Sequence, residues 1–285
     1  MRWVVLRLTA FFACAVAAAV PWTARAIEHI PFTMTGGALT VQATVNNQAA
    51  PMLVDLGAGV DVLSRHLGTR EINLYGKYVT LSLTGQRVDL PIGTVVSLAL
   101  GEYKLDNPTV GIWDGLDGSP NQGIVSATAF RTVTATFDYH ANQITIEDAM
   151  SFPERRRAAI RVPLVLQDEL GIALGLFAQF DLGNGQTGTC VVNTGFPQIL
   201  IDRRFAKKMG VNLNAPGLRH VKTPLGDGIE TTIPSLALSA ASGAVLHNPT
   251  VVFEDLVYDC NVGNNFWSDK VFTLDIPERT MYLAT

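Results

Sequence analysis

Charge is scarce in this 285-residue chain: Asp, Glu, Lys and Arg together make up 16% of the residues, against 48% hydrophobic. Such a composition excludes a disordered tail and supplies enough apolar mass for one large or two ordinary domains. Basic clusters are missing apart from Arg155, Arg156 and Arg157, and the formal net charge is −4. The electrostatic footprint of a nucleic-acid-binding protein is therefore absent, and no nucleic-acid partner is expected. Cysteine is limited to three residues, too few for a disulfide-rich scaffold. The five histidines (His29, His66, His140, His220 and His247) stand singly, without the close spacing that a metal site needs. No metal or other cofactor is expected.

Long apolar runs are also lacking, except near the start. Arg2 and Arg7 flank the beginning of an apolar run over residues 8–20, and Ala24, Arg25 and Ala26 close the segment. This is the pattern of a secretory signal over residues 1–26, cut near Ala26, and the run is too short to span a bilayer well. Removing it takes away three basic residues and no acid, so the net charge moves from −4 to −7. The mature chain is expected to be secreted or periplasmic and to carry no membrane span. Cys14 leaves with the signal. Cys190 and Cys260 remain, and by themselves they read equally well as a disulfide or as two buried thiols.

What the mature chain does contain is a repeat. The segment ending in Val54, Asp55, Leu56, Gly57 and Ala58 lies over Val192, Asn193, Thr194, Gly195 and Phe196 at an offset of 138. Val62, Leu63 and Ser64 face Leu200, Ile201 and Asp202 at the same offset. Asn107-Pro-Thr-Val recurs intact from Asn248, and Phe137-Asp138 recurs as Leu274-Asp275. Ordered matches with nearly constant offsets imply two duplicated lobes with small loop insertions. We assign 27–147 to the first lobe, 148–159 to a linker with solvated arginines, and 160–285 to the second.

Within each half, short Val-, Ile-, Leu- and Thr-rich segments alternate with Gly, Asn and Pro turns, as in 39–45, 79–83, 95–100 and 133–137. That spacing predicts an all-β fold. A short helix is expected in each half, over 63–67 and 203–209. Asp61 and Asp202 are expected to cap these helices.

An apolar strand ending in Asp-x-Gly puts a carboxylate at a tight turn where glycine admits a close neighbour. With the second copy at Asn193-Thr194-Gly195, the sequence resembles the aspartic peptidases, as a single chain with two retropepsin-like lobes. The resemblance spans nearly the whole mature chain. It implies a bilobal acid-protease (retropepsin- or pepsin-like) fold of β-barrel lobes with short helices, and an interlobe cleft that takes a peptide or protein ligand. It further implies catalytic-type positions at Asp55 and Asn193. The turns Gly57-Ala58 and Thr194-Gly195 would line the cleft beside two hairpin flaps, with tips at Gly85 and at Gly226 to Gly228. Finally, it implies that the strand bearing Cys190 runs beside the segment bearing Cys260, which favours a disulfide between them.

The departures fall on the chemistry. Aspartic peptidases use two carboxylates about 3 Å apart that share one proton, one acting as base on water and the other as acid. Here Asn193 can do neither. Leu56 stands where the family has a threonine that ties the two turns together, and Ser126 stands where a glycine is expected after Ile124-Val125. The expected function is therefore that of a catalytically degenerate, peptide- or ligand-binding protein. The alternative is an atypical endopeptidase working through an Asp55-activated water. The tethered second lobe outcompetes a second chain for Asp55, so a monomer is expected.

Overall fold

The computed structural model describes residues 28–68, 72–223, 226–241 and 243–285. The expected signal and its cut near Ala26 lie outside the described residues. Because each half carries the same succession of short apolar segments, each folds into the same sheet. In the first lobe Gln48–Val54 pairs in parallel with Gly123–Val125. The latter pairs antiparallel with Asp61–Leu63, which pairs in parallel with Thr109–Ile112. The second lobe repeats this order with Gln186–Val192, Cys260–Val262, Ile199–Asp202 and Thr250–Glu254. A hairpin closes each series, Asn73–Leu81 with Arg87–Thr94 in lobe one and Arg219–Lys222 with Asp227–Thr232 in lobe two.

The lobes are joined by a shared antiparallel sheet. Thr134–Asp138 of lobe one pairs with Val271–Asp275 of lobe two, with Thr136 opposite Thr273 and their hydroxyl oxygens 2.7 Å apart. Each of these strands continues into its own hairpin partner, Gln143–Ile146 or Thr280–Ala284, and Glu28–Pro31 and Ala159–Pro163 flank the two sides. The repeated Phe137-Asp138 and Leu274-Asp275 are thus the two sides of a twofold axis. Phe137 stacks on Phe272 there, with ring centroids 5.0 Å apart, and the fully buried Phe130, Phe266 and Trp267 extend the apolar core into both lobes. Among the described residues no helix is long and apolar enough to cross a membrane.

Within the segment 148–159, Ser151–Arg157 forms a helix whose three arginines are exposed, and Arg155 pairs at 2.5 Å with Glu147, whose side chain is fully buried. A carboxylate with no solvent contact needs a cation, and the helix supplies it. Two expectations, on the short helices and their caps, need correction. The helix expected over 63–67 begins only at Arg65, after Leu63 ends a strand, and that over 203–209 is a single 3-10 turn, Arg203–Phe205. Asp202 caps that turn by accepting from the Arg204 N–H, but Asp61 caps nothing and binds Ser126, while Ser64 Oγ accepts the Leu67 N–H.

Cys190 and Cys260 sit opposite each other in the parallel pair and form a disulfide, with Cα atoms 4.4 Å apart and a sequence separation of 70. The same positions in lobe one are Met52 and Gly123, where the methionine side chain fills the space over the glycine. Closing a loop of this length restricts the unfolded chain by about 4 kcal/mol in the chain-entropy model. Cys190→Ser combined with Cys260→Ser is expected to lower the unfolding free energy by about 2–5 kcal/mol in urea titrations. An unchanged midpoint would contradict this role.

Candidate functional site

The two strand ends meet on the twofold axis. Asp55 follows Gln48–Val54 and donates its backbone N–H to Val125 O at 2.8 Å; Asn193 follows Gln186–Val192 and donates its own to Val262 O at 3.1 Å. Each side chain then folds back on its turn: Gly57 N–H donates to Asp55 Oδ1 and Gly195 N–H to Asn193 Oδ1, both at 2.8 Å. The glycines permit the lobes to touch. A methyl added at Gly195 would overlap Asp55, and one at Gly57 would overlap the Asn193 amide. Asp55 and Asn193 thereby face each other across the lobe boundary, with Ala58 beside the first turn.

The coupling between the turns is one-sided. Thr194 Oγ1 donates to Val54 O at 2.7 Å and accepts from Leu56 N–H at 3.1 Å, both across the boundary. Leu56 is fully buried in the apolar core and has no hydroxyl with which to reciprocate. Asn264 adds a second tie on the same side, since its Nδ2 donates to Thr194 O at 2.5 Å and to Gly37 O at 2.9 Å. Its Oδ1 accepts from the Tyr139 hydroxyl.

Asn193 is held as an amide. While Oδ1 accepts from Gly195, Nδ2 donates at 2.9 Å to Oδ1 of Asn261, which is fully buried. In lobe one the matching position is the apolar Ile124, paired with Leu53 as Asn261 is with Val191. Nothing in the linear sequence marks Asn261 except a polar residue in a slot that its repeat fills with isoleucine.

Asp55 is half-buried, and desolvation by the surrounding turns pushes its pKa up to about 6 against the pull of backbone N–H groups of Gly57, Ala58 and Gly195. Asp61, fully enclosed, is likewise pushed up to about 6 by burial, although the Ser126 N–H and hydroxyl donate to its Oδ1 at 2.6 and 2.9 Å. Ser126 is therefore compensated: lobe two has Ile199 and Gly263 at these positions, with backbone pressed against the glycine, whereas lobe one fits a serine by pairing it with a carboxylate. A carboxyl whose folded pKa lies above its unfolded value binds more protons in the native state, so its contribution is present below pH 4 and lost as pH rises through about 6. The urea midpoint of the wild type is expected to fall between pH 4 and 6.5, and less so in Asp61→Asn, whose amide oxygen can still accept from Ser126. Equal slopes in both proteins would contradict it.

The hairpin glycines separate. Gly85 lies in the turn of the lobe-one hairpin with φ +79°, a conformation that glycine adopts without strain, and the turn is closed by Ser82 N–H to Gln86 O at 2.7 Å. In lobe two Thr223 and Gly226 exchange backbone hydrogen bonds at 2.8 and 3.3 Å, and Gly226 packs on Glu254. Gly228 is not at a tip but within the strand Asp227–Thr232, against Val252. With a first strand of four residues against nine, the second hairpin is too short to be the equal of the first.

Comparison with known proteins places this geometry. The family model described as aspartyl protease matches residues 41–129, which include the Asp55 turn and the lobe-one hairpin. The aspartic proteinase from Irpex lacteus superposes with a TM-score of 0.55 at 14% identity, over 91% of this chain and 97% of that one. Basic 7S globulin from soybean superposes with a TM-score of 0.51 at 12% identity, over 90% and 94%. No curated protein matches by sequence. The chain has the bilobal pepsin-like fold, mostly β with short helices.

Proposed function

We propose that this chain, built on the pepsin-like fold, is a peptide- or protein-binding member of that architecture that has lost most or all peptide-bond hydrolysis, and that it works outside the cytoplasm, secreted or periplasmic. The observation that carries the reading is the occupancy of Asn193: its oxygen accepts from Gly195 and its nitrogen donates to Asn261, so the group opposite Asp55 neither takes nor supplies a proton. Shared-proton catalysis needs two titrating groups, whereas binding needs only the cleft walls and the hairpin over them. A second reading is favoured by one observation, the Asp55 pKa of about 6, which suits a lone general base near neutral pH. On that reading the chain is a slow endopeptidase. A reduced, carboxymethylated polypeptide incubated with the purified chain separates the two: the binding reading expects a stable complex from which the polypeptide is recovered uncut. Absence of any complex would contradict it.

A further inference from the structure

The helix Ser151–Arg157 lies on the outward face of the shared sheet. Strand register puts Arg161, Tyr282, Thr273 and Thr136 in one row across that sheet, while Phe137 and Phe272 belong to the alternate row on the core side. The core that takes in Phe137 and Phe272 also takes in Leu56, so the sheet stands between the helix and the Asp55 turn. Phe152 seats the helix by meeting the buried Tyr282 ring edge-on, with centroids 5.3 Å apart. No residue of the helix is itself buried.

In a chain of net charge −4, the segment 148–161 sets four arginines against two acids, Asp148 and Glu154. Arg155 is taken by Glu147, and the Asp148 carboxylate accepts from the Met150 and Ser151 N–H groups. Among the described residues Arg156, Arg157 and Arg161 form no ion pair. The buried Asp275 feels the charge of Arg156 and Arg161, but it accepts from the Glu278 N–H instead. The guanidinium carbons of Arg156 and Arg161 lie 6.0 and 5.8 Å from the Tyr282 ring centroid, an aromatic support that fixes both cations without neutralising them. Arg156 and Arg157 line a hollow of about 300 Å³ together with Phe152 and Pro153, and Met150, just before the helix, is 77% exposed. Unpaired cations beside exposed apolar groups are the two elements of an interfacial surface: guanidinium groups meet phosphates and apolar groups enter the layer beneath. We infer that this face docks on a membrane rich in anionic phospholipid, with a phosphate held between Arg156 and Arg157, Met150 at the acyl boundary, and the cleft turned away from the bilayer. Charge selects the partner, because an acidic chain is drawn to an anionic surface only where its unpaired cations are gathered. An acidic protein would satisfy the arginines and leave Met150 without a role. The inference concerns a face away from the cleft and holds whether the cleft binds or cuts.

Vesicle co-sedimentation tests it, with wild type and variants that share one N-terminus so that residues 1–26 contribute equally. Wild type is expected to bind vesicles of equal parts phosphatidylglycerol and phosphatidylcholine at least about tenfold more tightly than phosphatidylcholine vesicles, and to lose that gain as salt rises. Arg156→Gln combined with Arg157→Gln and Arg161→Gln should remove most of the gain. Met150→Asp, at an exposed position where the fold is indifferent to the change, should weaken binding severalfold. Lys104→Gln combined with Lys207→Gln and Lys208→Gln takes the same charge from exposed sites elsewhere and is expected to bind like wild type. Equal binding to both kinds of vesicle, or equal losses in the two triple variants, would overturn the inference. So would tighter binding of polyglutamate than of the anionic vesicles, which would make this face a seat for an acidic protein.

Discussion

Asn193→Asp is expected to raise peptide-bond hydrolysis by roughly 10²–10⁴-fold, the range that a positioned acid/base group contributes. The substitution is nearly isosteric. Gly195 N–H can donate to the new carboxylate as it does to the amide oxygen, and the Asn261 amide, by turning over, presents its NH₂ where its oxygen now accepts. Two carboxyls then face each other, and because both cannot ionise freely at close range one proton is shared and the titrations split. Asp55, already raised to about 6 by burial, is the group that the new charge would push further. The gain should appear on the acidic side of neutrality and vanish in Asn193→Asp combined with Asp55→Ala. A double variant as active as the single one, or a single variant no faster than wild type, would contradict the assignment of the pair.

Thr194→Val is the substitution expected to cost most stability for its size, about 2–5 kcal/mol in urea unfolding. The valine fills the same volume, yet it leaves the Leu56 N–H and the Val54 carbonyl without the hydroxyl that now serves both. Each is enclosed, and an unmet buried polar group costs about 1–3 kcal/mol. A symmetric pair of threonines would share that load between two side chains, but Leu56 places all of it on one. Thr194→Ser, which keeps the hydroxyl, should recover most of the loss. If valine and serine were equally destabilising, volume and not the cross-boundary hydrogen bonds would be responsible.

The parts of this fold that can be read from the chain are those carried by local pattern. The 138-residue offset between the Asp55 and Asn193 turns reappears as matching strand order and matching backbone hydrogen bonds to Val125 and Val262. The recurrence of Phe137-Asp138 as Leu274-Asp275 reappears as the paired central strands. What resists reading is side-chain pairing over long sequence separations. Asp61 looks like a helix cap because it leads into the short helix expected over 63–67, yet the donors that claim it are at Ser126. Arg155, in the charged segment 148–159, answers a buried Glu147 that no local pattern exposes. Asn261 and Asn264 act through partners in the other copy of the repeat or in distant strands, so neither periodicity nor motif spacing marks them. Hairpin length, too, is set by tertiary pairing, which is why Gly226 and Gly228 together resemble a tip although Gly228 lies within a strand.

The most direct measurement of whether this cleft holds or cuts is a digestion time course of an unfolded, carboxymethylated protein by the purified wild-type chain from acidic to neutral pH, run beside Asp55→Ala and read by mass spectrometry. With Asn193 locked between Gly195 and Asn261, wild type and Asp55→Ala should leave the substrate equally intact at every pH. Robust cleavage by wild type that is abolished in Asp55→Ala would contradict the account, because it would mean that Asp55 performs the hydrolysis without a second titrating partner.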